Sequence, residues 1–306
     1  MSFTLAHLSD IHLGPLPRPR STDLIGKRML GFINWQRRRR QYSRIFLDRL
    51  MTDLAAQRPD HIAITGDLVN IALPAEFLAA RAWLESIGSP ETVSVVPGNH
   101  DAYVRLRRDP GHRAWDPYMQ SNWESAGLIF QPEDGFPFVR RFGEIAIVGL
   151  SSAVPTMPLM ASGRIGKRQL ATMGLALDAL REEQACRVIL VHHPPLPGMS
   201  PWKSALHDAR AAQARFIQHG AELVLHGHAH RDSLTPLVTP HGPLFVVGVA
   251  SASSGFRHLG RVARYNLFTF LKTNTGWRIH MRSRSFGEDG QPVEADHGLL
   301  GADALA

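Results

Sequence analysis

Short apolar runs, each breaking off at a small polar motif and followed by a helix-length amphipathic stretch, fill the first three quarters of this chain. Such alternation permits few architectures, and an α/β sandwich is the one it favours. Strands are expected over residues 3–9, 61–65, 92–96, 144–150, 187–191, 222–225 and 244–249, with helices over 42–57, 74–86, 167–183 and 204–219. In the first of these helices Leu47, Leu50, Met51 and Leu54 share one face. The last quarter is mostly strand, with a hairpin of 265–271 and 277–284 turning around Asn274-Thr275-Gly276. The 306 residues contain no internal repeat and no long Pro/Gly/Ser linker, so one domain over 1–285 is expected. An insertion at 14–40 and a loop-rich excursion at 105–138, carrying Trp115, Trp123, Phe130 and Phe136, interrupt it. The polar tail, 286–306, is expected to be flexible.

Composition removes several classes. Hydrophobic residues at 44% and charged residues at 20% exclude global disorder. The single cysteine, Cys186, can form neither an intrachain disulfide nor a Cys-based zinc site. No apolar run reaches the roughly 18 residues that span a bilayer. Residues 1–8 have no basic n-region, so the expectation is a cytoplasmic protein. The net charge is +7, but residues 15–49 hold ten basic side chains against Asp23 and Asp48, a local +8. The rest of the chain is near neutral, which describes a balanced globule with one basic patch and argues against a nucleic-acid partner.

The sixteen histidines are not scattered. Five motifs lie just past strand C-terminal ends, the edge where open α/β sheets bind ligands. They supply Asp10 and His12, Asp67, Asn99 and His100, His192, and His228 with His230. Carboxylate, amide and imidazole donors suit Mn²⁺, Zn²⁺ or Fe better than Ca²⁺ or Mg²⁺. Gly66, Gly98 and Gly227 let the backbone turn tightly beside them. Each motif alone is weak evidence, and as unrelated polar strand caps they would not fall in one order at five strand ends.

The order Asp10-x-His12, Gly66-Asp67, Gly98-Asn99-His100-Asp101, His192 and Gly227-His228-x-His230 resembles the calcineurin-like metallophosphoesterase superfamily, over residues 3–284. The resemblance implies a four-layer α/β/β/α sandwich and two divalent transition-metal ions, Mn²⁺, Fe²⁺/³⁺ or Zn²⁺. It places Asp10, His12, Asp67 and His230 on the first metal and Asp67, Asn99, His192 and His228 on the second, with Asp67 bridging. His193 and His226 are then structural neighbours of the ligands. The implied chemistry is attack on phosphorus by a hydroxide bridging two ions about 3.5–4 Å apart or bound to one of them. Asn99 and His100 would touch the phosphoryl group, His100 would protonate the leaving oxygen, and Asp101 would orient His100 by a hydrogen bond.

Among the branches of that superfamily, the compact first motif and the His192-His193-Pro194-Pro195 ending are similar to the cyclic-nucleotide and glycerophosphodiester phosphodiesterases, which implies a small phosphoester substrate. Leu68-Val69-Asn70 lacks the tyrosine ligand of purple acid phosphatases, and Arg105, Arg107 and Arg108 lie outside the protein-phosphatase pattern. The insertion adds an alternative. Ile25, Met29, Phe32 and Ile33 recur at helical spacing near Trp35, flanked by Lys27, Arg28 and Arg37 to Arg40. This reads as a lid or membrane-surface helix over 24–40, or as a helix whose apolar side packs on the sandwich. In the first case it resembles the insertion of enzymes that cleave the pyrophosphate of UDP-2,3-diacylglucosamine, with peripheral contact at the inner face of an anionic membrane. A nuclease is the third reading, and a non-catalytic scaffold would be expected to lack ligands that are all present here.

Overall fold

The computed structural model describes residues 2–39, 41–105, 111–124, 135–255, 262–274 and 276–300. Two six-stranded sheets form its centre. Sheet one runs β12-β11-β10-β1-β2-β3 and sheet two β4-β5-β6-β7-β9-β8. In sheet one, β1 (Phe3–Leu8), β2 (His61–Ile64) and β3 (Val93–Val95) are parallel. The antiparallel strands β10 (Tyr265–Thr273), β11 (Gly276–Phe286) and β12 (Pro292–Leu300) complete it. In sheet two, β5 (Ile145–Gly149), β6 (Cys186–Leu190), β7 (Leu223–His226) and β9 (Gly242–Gly248) are parallel. Its edges are the antiparallel strands β4 (Phe138–Phe142) and β8 (Ser233–Thr239).

The period of two in these strands sorts side chains between two cores. Ile147, Val188, Leu190, Leu223, Leu225 and Val247 join the core that also holds Leu5, Ala63 and Phe268 of sheet one. Val148, Ile189, Val224 and Val246 face the other way, onto Met173, Leu177, Ala212 and Phe216. Those last four belong to α4 (Lys167–Glu182) and α5 (Ala209–His219). Sheet one carries α2 (Arg44–Gln57) and α3 (Pro74–Ile87), through Leu47, Leu50, Leu54, Phe77 and Leu84. The result is the four-layer sandwich. Strands buried on both faces explain why the central runs are continuously apolar.

Three expectations need correction. The tail is not loose through Leu300: β12 pairs antiparallel with β11. Its side chains are exposed up to Asp296, so the segment has no apolar alternation to read. The backbone ladder holds it, with Arg284 and Arg282 pairing Glu294 and His280 pairing Asp296. Residues 301–306 lie outside the described residues. The excursion at 105–138 contains a 3-10 stretch, Gly111–Met119, whose Trp115 is fully buried and donates to the Phe77 carbonyl at 3.1 Å. Phe130, Arg107 and Arg108 lie outside the described residues. Finally, the expected helix at 204–219 begins only at Ala209, after a short 3-10 turn at Trp202–Ser204.

The insertion forms a 3-10 turn, Ser21–Asp23, and one α-helix, α1 (Lys27–Arg38), whose apolar side is only partly covered, with Phe32 and Trp35 half-buried. Met29, Leu30 and Ile33 are 42% to 47% exposed, and Ile25 just before them is 74% exposed. Facing inward instead are Lys27, Arg28 and Gly31. Gly31 lies so close to Tyr103 that an added Cβ would stand 2.5 Å from its hydroxyl. Among the described residues no helix is long and apolar enough to cross a membrane.

Candidate metal centre

Every motif singled out by sequence lies just beyond a strand end, and all five meet at one seam between the sheets. Residues 9–12 follow β1, 65–67 follow β2, and 96–101 follow β3; residues 191–193 follow β6 and 227–230 follow β7. Backbone bonds lock the turns together: the Asp10 amide donates to the Gly66 carbonyl at 3.0 Å, His12 to Asp67 at 2.9 Å, and Gly227 to His192 at 3.0 Å. The two sheets are joined directly where the His228 amide donates to Asp10 Oδ2 at 2.9 Å.

The backbone here is unusual. Of nine non-glycine residues with positive φ among those described, five are Asp10, His12, Asp67, His228 and His230. Such conformations are costly for branched or bulky side chains and gather where a site must aim its groups. At Gly98 an added Cβ would stand 2.2 Å from Asp67 Oδ1, so only glycine admits the third motif beside the second.

The side chains form three donor groups within 4.8 Å: Asp10 with His12 and His230, Asp67 with His192 and His228, and, joining these two, His12 with Asp67 and His100. Asp67 Oδ2 lies 3.4 Å from His192 Nε2 and 3.9 Å from His12 Nε2, between the groups. Asn99 Oδ1 is 3.1 Å from His192 Nε2, on the second group. Hydrogen bonds on the far ring nitrogens select the tautomers. His192 Nδ1 donates to the Thr65 carbonyl at 2.6 Å and His228 Nε2 to the Ser204 carbonyl at 2.9 Å. In the neutral ring the other nitrogen presents a lone pair to the donors.

This set fits divalent metal ions. Both ring nitrogens of His12 are buried without a hydrogen-bond partner, which native interiors rarely tolerate, and Asp10 Oδ1 has His230 Nε2 3.0 Å away. Burial drives His12 down to about 3 and His228 to about 4, keeping both neutral and able to ligate. Burial pushes the Asp10 and Asp67 carboxyls up, but the histidines around them outweigh it and hold both well below the usual range. His192 shows the opposite balance: burial disfavours its charge, yet Asp67 and Asp10 raise it to about 9. A field that holds a proton there favours a cation of higher charge in the same place.

His100 is half-buried at the edge of this cluster. Its amide donates to Asp67 Oδ1 at 2.8 Å, and its Nδ1 bonds the Asn70 carbonyl. The ring stacks on Tyr103 (5.6 Å, 19°) and meets His12 edge-on at 4.8 Å. Asp101 does not orient it. The Asp101 carboxylate is buried and accepts four amides, from Asp67, Leu68, Val69 and Gly98, at 2.8 to 3.1 Å. It fastens the second motif to the third, and burial with the Asp67 charge raises it to about 7. An acceptor of backbone amides leaves no sequence signature, so neither this role nor that of the Asn70 carbonyl was legible.

The neighbouring histidines behave as structural groups. His193 bonds Ser152 Oγ at 2.8 Å and the Ala161 carbonyl at 3.0 Å, and His226 bonds within its own turn at 3.2 Å. Missed by sequence were Tyr42, whose ring lies 4.5 Å from His12, and Tyr103. The contact that brings α1 alongside is Lys27, 4.2 Å over the Tyr103 ring and bonded to Thr156 Oγ1 at 2.8 Å.

Comparison with known proteins agrees with this geometry. The model of the calcineurin-like phosphoesterases matches residues 3–232. A probable cyclic nucleotide phosphodiesterase of Synechococcus sp. is 28% identical over 182 residues, which are 58% of this chain and 61% of that protein. A dimetal phosphatase from Danio rerio has the same fold, with a TM-score of 0.60 at 12% identity, covering 97% of this chain and 99% of the other. A purple acid phosphatase from yellow lupin seeds does so at 0.56 and 13% identity, covering 100% of this chain and 55% of the other.

Proposed function

The chain belongs to the calcineurin-like phosphoesterase family, and on that footing we propose that it is a two-metal phosphodiesterase of small phosphoesters. The observation that carries this reading is the pair of donor groups meeting at Asp67. Asp10, His12, Asp67 and His230 would hold one divalent ion, and Asp67, Asn99, His192 and His228 the other, as Mn²⁺, Fe²⁺/³⁺ or Zn²⁺. When bound, two such ions supply Lewis acidity to the phosphoryl oxygens and acidify water.

The protein's own groups do the rest. His100 has its Nδ1–H engaged by the Asn70 carbonyl, so in the doubly protonated ring the Nε2 proton is the one that passes to the leaving oxygen, and the ring is left as the neutral Nδ1–H tautomer. Asn99, one residue before it, contacts the phosphoryl group beside His192. Asp101 keeps the two motifs in register. The name of the Synechococcus relative supports cyclic nucleotides as the diester class. A cytoplasmic location is part of this proposal.

A second reading, hydrolysis of an acylated nucleotide pyrophosphate at an anionic membrane, is favoured by the outward apolar side of α1. Residues 24–40 would then make the peripheral contact.

Metal-reconstituted protein offered bis(p-nitrophenyl) phosphate, p-nitrophenyl phosphate, cyclic AMP, glycerophosphodiesters and a UDP-linked acyl sugar separates these readings. Turnover of the monoester alone would overturn the diesterase. His100→Ala should keep its metals and lose 10²–10⁴-fold in rate, less with p-nitrophenolate as leaving group. For the membrane reading, replacing Arg37 to Arg40 by Gln should cost several kcal/mol of binding to anionic vesicles, at roughly 1 kcal/mol per residue. Unchanged vesicle binding would remove that reading.

A further inference from the structure

His100 is aimed by a carbonyl, and that carbonyl belongs to a short loop gripped from two sides. Residues 70–73 connect the second metal motif to α3. Glu76, in the first turn of α3, is buried and accepts the amides of Asn70 at 2.6 Å, Ile71 at 3.1 Å and Leu73 at 2.9 Å. From the opposite side Arg28 of α1 donates through Nε to the Ile71 carbonyl at 3.3 Å and through Nη2 to the Ala72 carbonyl. Asn70 Nδ2 ties the same loop to the Leu13 carbonyl at 2.8 Å. Ala72 sits at φ 57°, a left-handed conformation that a residue with a Cβ keeps only when its surroundings impose it.

The Asn70 carbonyl takes His100 Nδ1. A carbonyl can only accept, so this contact fixes a proton on Nδ1 and turns Nε2 toward the cluster. The inserted helix also reaches the other neighbour of His100. Tyr103, stacked on the His100 ring, lies under Lys27 and against Gly31. Thus α1 touches both supports of one histidine.

We propose that Arg28 and Glu76 are positioning residues for His100, acting through the 70–73 loop, so that the inserted helix is part of the catalytic apparatus. The kinetic side of this proposal rests on His100 delivering the proton; the positioning side does not.

The test uses Arg28→Gln, Arg28→Lys and Glu76→Gln, each alone and combined with His100→Ala, in the metal-loaded full chain. Metal content should match the wild type. Turnover of alkyl diesters should fall about 10- to 100-fold in Arg28→Gln and Glu76→Gln, the scale of a loosened supporting contact. The fall should be smaller for p-nitrophenyl esters, and Arg28→Lys should recover part of it. In the His100→Ala background the same substitutions should change the rate by less than about twofold, because coupled residues are non-additive.

Nitrogen-15 imidazole NMR, with His100 assigned by difference from His100→Ala, should show one Nδ1–H tautomer in the wild type and a mixture in the variants. An unchanged tautomer in Arg28→Gln overturns the positioning role whatever His100 does in catalysis. A rate loss that persists undiminished without His100 overturns it too, in favour of general damage. If His100→Ala itself loses rate equally across leaving groups while the tautomer still scrambles, only the proton-delivery reading fails. Arg28 lies on the insertion, so its variants test the proposal even where Glu76→Gln does not fold.

Discussion

Gly98→Ala is a one-carbon test of how tightly the centre is assembled. The added methyl would lie 2.2 Å from Asp67 Oδ1 and 2.8 Å from Asp67 Cγ, where 3.4 Å begins ordinary contact. Retreat of the carboxylate by about 1.2 Å (3.4 − 2.2) is not enough, because the methyl would also lie 2.6 Å from the Asp67 backbone nitrogen, so the third motif has to back away as well. These movements break the His100 amide bond to Asp67 Oδ1, now 2.8 Å, and part Asp67 from His192. Misplacement by an ångström costs about 10²-fold in a reaction that depends on positioning. Turnover of bis(p-nitrophenyl) phosphate should fall at least that far, with weaker metal retention in equilibrium dialysis. Thermal stability should change little, since the site lies past the strand ends. Gly14→Ala is the control: it is near the first motif but has no atom within 4 Å of an added Cβ. A Gly98→Ala protein that turns over within threefold of wild type and holds its metals as tightly would refute the argument that Asp67 is held by steric fit.

Asp67→Asn should lower metal content at both positions, read by atomic emission, and bring turnover to near background, while circular dichroism stays native. Metal affinity should rise with pH. His192 is raised to about 9 by Asp67 and Asp10, so an incoming ion displaces a proton from it. Titration with Mn²⁺ at pH 6, 7 and 8 should tighten about tenfold per unit, and a pH-independent affinity would contradict that displacement. Asp53 of α2 contributes to acid stability on the helix-covered face of sheet one. Its carboxylate accepts Tyr265 Oη at 2.6 Å and two Arg284 nitrogens at 2.7 Å. Burial opposes its charge, but these bonds outweigh it and lower its pKa below the ordinary 3.8. The folded value lies under the unfolded one, so the contribution is complete above pH 3.8 and fades as pH falls through the folded value. Asp53→Asn should lower the urea midpoint by a constant amount from pH 5 to 8, and the gap should close in stronger acid.

The centre was legible because its donors adjoin buried apolar runs. A strand such as residues 187–191 announces itself, and whatever follows it must lie at the sheet edge. Helical spacing likewise gave α2 and α4 to within two residues. The direction of α1 was not legible. Amphipathic spacing shows that Met29 and Ile33 share a side, but only the contacts of Arg28 and Gly31 decide that this side points outward. Strand β12 escaped notice because an exposed edge strand is held by backbone bonds to which its side chains are indifferent. Asp101 was misassigned for a related reason. Adjacency to His100 suggested a side-chain pair, while four unpaired amides nearby claimed the carboxylate first.

The seam between the sheets divides its donors by kind. Sheet one brings every oxygen, from Asp10, Asp67 and Asn99, along with His12; sheet two brings only imidazoles, from His192, His228 and His230. Neither half alone supplies every donor of either ion, so metal affinity measures how truly the halves are aligned. That alignment is kept by the core between the sheets, to which Leu5 and Phe268 of sheet one and Leu190 and Leu225 of sheet two belong. By linkage, an ion that binds only the aligned pair tightens the packing as much as the packing tightens the ion. The centre is in this sense a gauge of the molecule's interior: trimming Leu225 to alanine should first show itself as metal leaking away, before the protein unfolds.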